Sequence, residues 1–583
     1  MLDLARLSLE QRQAVLAPNG PLAIVAGPGS GKTTVLAARI AYLVIARHVS
    51  PDSILTVSFT TKAARELRNR LVGVLGPLGR EVDVTTFHAF GLRIIRHWVE
   101  ELGLGPGPPI VYDEDDARTL LRDVAQRYDV DLKTLPLATL VSRLNRYRLG
   151  DETTTQWLRE LANEYEAALQ RRGAVDFTAM LSTPLRLFDE CPAALRLYQQ
   201  TYRHILVDEF QDVSAPQYRL LQRLAARHDN LTVVGDPLQT LYAWRGADPN
   251  GLRHFQRHFP SARVFQLHHN YRSTQRILAV ANALGASLDA DRRLRTDNPA
   301  GDVPRLHAAG DEAGEANFVA EEIGRLLGDG EAHQPSDIAV LYRTNHQADE
   351  LGVALRERRL AYRIRGRSDL FHRREVQDAL AYLRLACNPG DMTALERIAK
   401  ITTPMPALDT LADLHRQARR LSPPLLLDAV LERTGYRLWL AERPDGERRL
   451  GHLADLRRLL ERVDSDLADW LEALRLGDDP DAQETTEHVT LTTIHGSKGG
   501  EWRVVFVVGI EEGLLPHTHA LTREPESGAI QEEQRLAYVA VTRPRERLYL
   551  SYCRSRRRGD TTIPCQPSRF LHGLPLDVSR SSH

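Results

Sequence analysis

The chain has 583 residues, 4 Cys, and 76 Lys+Arg against 77 Asp+Glu for a formal net charge of −1; at roughly 100–200 residues per domain this means about three to five domains and excludes a single small binding module. Apolar runs such as 22–26 and 504–508 fall far short of the roughly 18 residues that span a bilayer, and Asp3 and Arg6 break any N-terminal signal pattern, so a soluble, cytoplasmic protein with no membrane partner is expected. Cys191, Cys387, Cys553 and Cys565 form no CxxC pair, which excludes the usual zinc spacings and argues for reduced, structural thiols.

From residue 22 short apolar runs alternate with longer amphipathic stretches: 22–25 then 33–47, 54–59 then 62–75, 82–84 then 87–101. Strands of that length separated by helical patterns predict βαβ units and a parallel sheet. The Gly/Pro-rich stretch 103–109 interrupts the series, and 113–172 is charged, helical in pattern and without strands, which predicts a helical insertion. The alternation resumes at 205–207, 231–234 and 264–267. A second series follows at 338–342, 362–364, 489–493, 504–508 and 548–551, interrupted by a Pro- and Leu-rich helical region at 388–486. The expected fold class is α/β: two tandem domains, each with a mainly helical insertion.

A neutral sum of charges does not exclude nucleic acid, because phosphate recognition depends on local patches. The kind of cation is more informative: only Lys32, Lys62, Lys133, Lys400 and Lys498 are lysines, and the other 71 basic residues are arginines. A lysine that persists in such a chain marks a place suited to a compact ammonium rather than a planar guanidinium. Lys32 closes AGPGSGKT at 26–33, between an apolar strand and a helical pattern, the context of a phosphate-binding loop. Gly27, Gly29 and Gly31 let backbone N–H groups wrap phosphates, Lys32 reaches the β- and γ-phosphates, and Thr33 ligates Mg²⁺. Ala26 stands where the strict pattern has Gly. ILVDEFQD at 205–212 ends an apolar strand in two carboxylates: Asp208 to hold the magnesium, Glu209 to orient or deprotonate the attacking water. Hydrolysis also needs positive charge on the transferring phosphoryl group, and with 71 arginines composition cannot select its source.

The ordered set of strings resembles the UvrD/Rep/PcrA group of superfamily 1 DNA helicases. The matches are LSLEQRQAV at 7–15, AGPGSGKT at 26–33, FTTKAA at 59–64, TTFHAF at 85–90 and ILVDEFQD at 205–212. They continue with VVGDPLQTLYAWRGAD at 233–248, NYRST at 270–274, DIAVLYRTN at 337–345, VTLTTIHGSKGGEW at 489–502, YVAVTRPRERL at 538–548 and PSRFL at 567–571. The resemblance implies two RecA-like P-loop motors, divided as 1–102 and 173–268 around an insertion at 103–172, and as 269–387 and 487–583 around a reduced insertion at 388–486.

It further implies an ATP- and Mg²⁺-dependent helicase with a DNA-stimulated ATPase, translocating 3′→5′ on single-stranded DNA and acting at single/double-strand junctions in repair, replication restart or recombination with accessory proteins of those pathways. Ala26, Gly27, Pro28, Gly29, Ser30, Gly31, Lys32, Thr33 and Thr34 would line the nucleotide. Gln11 would read the adenine, Tyr271 stack on it and Glu501 hold the ribose. Gln239 would sense the γ-phosphate, with Arg272 and Arg543 as arginine fingers. Phe59, Lys62, His88, Tyr242, Trp244 and His495 would contact DNA.

Several of these positions carry a second reading from the residues alone. Phe59 reads as core or as stacking platform, and His88 and His495 as backbone contacts or as polar groups satisfied in loops. Eight arginines within 356–374 read as a DNA track or as a solvated face. Three positions depart from the family. Thr34 replaces an Arg, Gly500 replaces an apolar residue and is expected to loosen its loop, and Pro544 after Arg543 is expected to end or kink a helix there. A helicase–nuclease would need a further domain after the last motif, for which this sequence leaves no room. A DNA-binding protein with a degenerate ATPase is opposed by Lys32, Asp208, Glu209 and Gln239.

Overall fold

Ile54–Ser58, Leu231–Gly235 and Ile338–Tyr342 are strands in which every residue is buried, which requires cover on both faces of their sheets. The computed structural model describes residues 4–105, 107–150, 155–242, 246–248, 250–290, 292–328, 333–365, 370–371, 373–401, 408–463, 466–475, 488–524, 528–558 and 561–580. The first sheet has six strands in the order Asp83–Thr86, Ile54–Ser58, His204–Val207, Leu231–Gly235, Leu22–Ala26, Arg263–Leu267, every pair parallel. The second has seven, Tyr362–Ile364, Val489–Thr493, Ile338–Tyr342, Trp502–Val507, Pro544–Cys553, Arg305–Ala309, Asp577–Arg580, again all parallel.

The period-two alternation of a strand splits the second core cleanly. Ala339 and Leu341 join Val505, Val507, Leu548 and Leu550 on one face, while Ile338, Val340 and Tyr342 join Val504, Phe506 and Tyr549 on the other. The two tandem parallel α/β sheets are those the alternation of apolar runs predicts. Arg305–Ala309 and Asp577–Arg580 are additional: RLHAA and DVSR carry too few apolar residues to read as strands, and parallel pairing at the sheet margin supplies what periodicity does not.

The chain gathers into two compact units. One, Met1–Phe87, Ala193–Gly366 and Glu484–His583, holds both sheets. The other, His88–Pro192 and Arg367–Gln483, is mainly helical. It takes in more than 103–172 and 388–486, because the helix Arg374–Cys387 buries Val376, Ala379 and Leu383 against Leu426, Val430, Tyr436 and Leu456 of the later helices. Among the described residues no helix is long and apolar enough to cross a membrane, and the four cysteines are free.

Within the helical unit the short strands Ile110–Tyr112 and Ala174–Asp176 pair in parallel. Asp176 then faces a buried arginine: Arg148 Nη1 and Nη2 donate to its carboxylate at 2.6 and 2.9 Å, and Tyr165 Oη donates at 3.0 Å. Arg475 ties the unit's two chain stretches together, donating from Nη2 to Asp116 Oδ2 at 2.8 Å and to Thr393 Oγ1 at 2.9 Å. Removing one member of a buried ion pair leaves an uncompensated charge, so Arg148→Met is expected to cost about 3–5 kcal/mol in urea unfolding. Adding Asp176→Leu should recover most of that loss; equal stability of the single and double variants would contradict the assignment.

Candidate functional site

The strand Leu22–Ala26 delivers the chain into the turn 27–31, and the helix Lys32–Ile45 leaves it. Gly31, the residue before the helix, sits at φ +80° with no side-chain cap, so the first helical N–H groups face the concavity of the turn without a side-chain acceptor. Gly29 is at φ +66°, and a Cβ there would lie 2.6 Å from Asn270 Nδ2 and 2.8 Å from Arg272 Cβ. Only glycine combines that dihedral with so close an approach. The turn is braced from outside. Asn270 Nδ2 donates to Pro28 O at 2.7 Å, the Tyr271 amide to Gly29 O at 2.8 Å, and Gln11 Nε2 to Ser30 O at 2.9 Å. Ser30 Oγ closes the loop on Gly27 O at 2.8 Å.

Beside it the buried strand His204–Val207 ends in the acidic pair. Burial, then the neighbouring Glu209 charge, pushes Asp208 up to about 7. Burial alone would raise Glu209 too, but Lys32 and Lys498 outweigh it and bring Glu209 down to about 2. Lys32 Nζ stands 3.8 Å from Glu209 Oε2 and Lys498 Nζ 4.0 Å from the same oxygen. Glu209 holds this place at φ +51°, a left-handed conformation costing about 1–3 kcal/mol for a non-glycine residue and kept only where the surroundings enforce it. Gln211 Nε2 donates to its carboxylate at 2.5 Å.

Arg543, just before the second-sheet strand Pro544–Cys553, and Arg272, after the first-sheet strand Arg263–Leu267, complete the cluster. Arg543 is buried, donates from Nη2 to Gln239 Oε1 at 3.1 Å, and is lowered by burial and by Arg272 to about 9, still protonated at neutral pH. The helix Ala529–Val541 stops short of it and Pro544 opens the next strand, as the X-Pro rule anticipates, so the proline sets where the helix stops without displacing the guanidinium. Arg272 donates from Nε to Glu501 Oε2 at 2.7 Å and from Nη1 to Thr542 O at 3.1 Å, and Glu501 also pairs with Arg545. The expected loosening at Gly500 is not what the loop shows. A Cβ at Gly500 would lie 2.4 Å from the Trp502 ring, which fills the space of the missing side chain, while Gly500 N and O bond Ser497 O and Arg543 Nη1.

Thr34 Oγ1 accepts from Arg70 Nη1 at 2.7 Å, so a guanidinium from another helix stands at that corner. Tyr271 is 48% exposed, open for stacking, with the His269 ring 4.5 Å behind it. Phe59 and Tyr242 stack on each other at 4.8 Å, with Lys498 Nζ 5.5 Å over the Tyr242 ring. Lys62 is exposed. Burial, then Arg343, lowers His495 to about 4, so it is neutral at physiological pH and offers a hydrogen bond rather than a charge. His88 belongs to the helical unit, edge-on to Phe177 at 5.8 Å. Trp244 lies outside the described residues.

The turn and acidic pair suit a nucleotide with magnesium. The capless glycine turn offers N–H groups to phosphate, and Thr33 and Asp208 offer hard oxygens. Among the described residues no group of three or more His, Cys, Asp or Glu could hold a metal by itself.

The model of the UvrD/REP helicase N-terminal domain matches residues 7–260, and that of the UvrD-like helicase C-terminal domain matches 265–422 and 408–555. The chain belongs to the UvrD/REP helicase family. Similar proteins include the ATP-dependent DNA helicase UvrD1 of Mycobacterium tuberculosis, 36% identical over 98% of this chain and 85% of that protein. The ATP-dependent DNA helicase PcrA of Bacillus subtilis is 34% identical over 99% and 86%.

In this UvrD-type chain two partners, Lys498 and Asp212, have no place among the expected site residues. Lys498 Nζ pairs with Asp212 and donates to Gln239 O at 3.2 Å; its sequence signal is the scarcity of lysine. Burial raises Asp212 to about 6 even against Lys498. A folded-state value above the unfolded one means stability that is present at low pH and lost as pH rises through about 6. Lys498→Met removes the compensating charge, so its melting temperature should fall little below wild type near pH 5, where Asp212 is protonated, and far more near pH 7.5, where ionisation is demanded. A pH-independent difference would show that Asp212 is not the group responsible.

Proposed function

We propose that this chain is an ATP-dependent 3′→5′ DNA helicase that translocates on single-stranded DNA and separates strands at junctions. The mycobacterial and Bacillus relatives are named ATP-dependent DNA helicases, and that activity is carried to this chain as part of the proposal. The observation that carries it is the hydrogen bond from Arg543 to Gln239 at 3.1 Å. Arg543 precedes a strand of the second sheet and Gln239 follows a strand of the first, so a phosphate contacted by both makes the spacing of the sheets depend on nucleotide state.

In this reading Lys32 and the 27–31 amides bind the phosphates, and Thr33 and Asp208 hold Mg²⁺, which neutralises charge on the phosphate oxygens. Glu209, ionised at neutral pH, accepts the proton of the attacking water. Gln239 senses the γ-phosphate, and Arg272 and Arg543 offset its developing charge. Gln11 and Tyr271 hold the base, Thr34 with Arg70 lies beside it, and Glu501 serves the ribose once released from Arg272 and Arg545. The Phe59–Tyr242 stack is a platform for bases, which accept such stacking without sequence preference. Lys62, His88, Trp244 and His495 are proposed as its companions along the strand.

Lys32→Ala should abolish ATP hydrolysis while nucleotide-free single-strand binding persists, since the loop and the platform are separate groups; substantial turnover would overturn the phosphate assignment. Glu209→Gln should bind ATP yet turn it over at least a hundredfold more slowly, the general-base contribution being about 10²–10⁴. Polarity is read by strand displacement on duplexes with one single-stranded tail. Unwinding is expected with a 3′ tail and not with a 5′ tail, and the reverse preference would refute the direction.

A further inference from the structure

Asp236 ends the strand Leu231–Gly235 and is wholly buried, 0% exposed. One of its oxygens accepts from the Leu238 amide at 3.0 Å, the other from Gln239 Nε2 at 2.5 Å. A carboxylate accepts and cannot donate, so it captures the NH₂ end of the Gln239 amide and leaves the oxygen end facing Arg543 Nη2. Turning that amide over would set an oxygen against the carboxylate and an NH₂ against a guanidinium, two repulsive contacts at once. The orientation of Gln239 is therefore set by Asp236.

A charge this deep needs a counter-charge, and the cation against it is Arg292. Its side chain is 8% exposed, and Nη1 stands 2.6 Å from Asp236 Oδ1 as a charge contact, while Nη2 is buried with no hydrogen-bond partner among the described residues. Arg292 lies between the matched strings NYRST and DIAVLYRTN, in none of them. Its segment is anchored to the second sheet and also bonded to the stretch after Arg263–Leu267, Arg295 N donating to His268 O at 3.0 Å and Asn270 N to Arg295 O at 2.7 Å. The helix Gln275–Gly285 buries Ile277, Val280 and Ala281 in that sheet's core, and Asn282 on it clamps Leu294, donating to its carbonyl at 3.0 Å and accepting from its amide at 2.9 Å. The same segment presses on the phosphate loop: a Cβ added to Gly27 would lie 2.4 Å from Leu294 Cδ2 and 3.8 Å from Arg292 Nη2.

We propose that Arg292 is a positioning residue for ATP hydrolysis, holding Asp236 so that Asp236 fixes the Gln239 amide with its oxygen toward Arg543. It touches no reacting atom. Its effect is to make the Gln239 contact depend on segment 292–295 being docked, so that the second sheet sets the state of the first sheet's glutamine. The inference rests on the reading of Gln239 as the γ-phosphate sensor.

The test is steady-state DNA-stimulated ATPase of the full chain for Arg292→Met, Gln239→Ala, their combination, and Asp236→Asn with Arg292→Met, each checked for folding by thermal melting. Arg292→Met is expected to lower kcat on the order of tenfold with KM for ATP within about threefold, and to cost nothing further in a Gln239→Ala background, because residues acting as one unit are not additive. If the lone Asp236 charge prevents Arg292→Met from folding, the neutral pair, which removes both charges, decides. It should fold and show the same kcat loss, since asparagine offers NH₂ and oxygen alike and no longer selects the amide's orientation. Wild-type kcat in the folded Arg292→Met or in the neutral pair overturns the inference. So does a full additional kcat loss on top of Gln239→Ala, or a rise in KM with kcat unchanged, which would make Arg292 a direct nucleotide contact. Wild-type kcat for Gln239→Ala alone would instead sink the reading of Gln239 itself.

Discussion

Four carboxylates, Asp208, Glu209, Asp212 and Asp236, crowd the ends of two neighbouring strands of the first sheet, and among the described residues Lys32 is the cation the first sheet supplies against them in contact distance. Charges buried at that density are intolerable unless paired. The remaining compensation comes from beyond the first sheet: Lys498 on Asp212 and Glu209, and Arg292 on Asp236. Arg543 adds a third cation through Gln239. The two sheets are thus held to one another by a charge deficit on one and a charge surplus on the other.

That sharing explains the pKa pattern. Burial acts on Asp208, Glu209 and Asp212 in the same sense, toward neutrality, and what separates them is which charges each can reach. Glu209 has two lysines and stays ionised, while Asp208 sits beside Glu209's charge and rises to about 7. Two carboxylates in sequence are thereby driven apart in protonation, the arrangement in which one can serve as a ligand and the other as a base.

The space beside Gly500 is filled by the Trp502 ring, two residues on in the same string, and Thr34 accepts from Arg70 on a different helix. The second contact is not visible in a motif, because it is fixed by packing rather than by spacing along the chain.

The sequence by itself determined what depends on local covalent order. The apolar alternation marked nearly every strand of both sheets, the glycines of 27–31 marked the turn that needs positive φ, and the string order marked the family. The helical unit also takes in Arg374–Cys387, whose strongly apolar pattern suits a sheet layer and a helical core equally. Only the tertiary structure decided which charges meet. Seventy-one arginines are indistinguishable by composition; the matched strings imply roles for Arg272, Arg543 and Glu501, but it is burial beside Asp236 that singles out Arg292, and the contacts of Arg543 with Gln239 and of Glu501 with Arg272 and Arg545 are tertiary. A local rule specifies backbone conformation, which involves a few successive residues; electrostatic compensation joins residues tens to hundreds of positions apart, and no sequence window contains both partners.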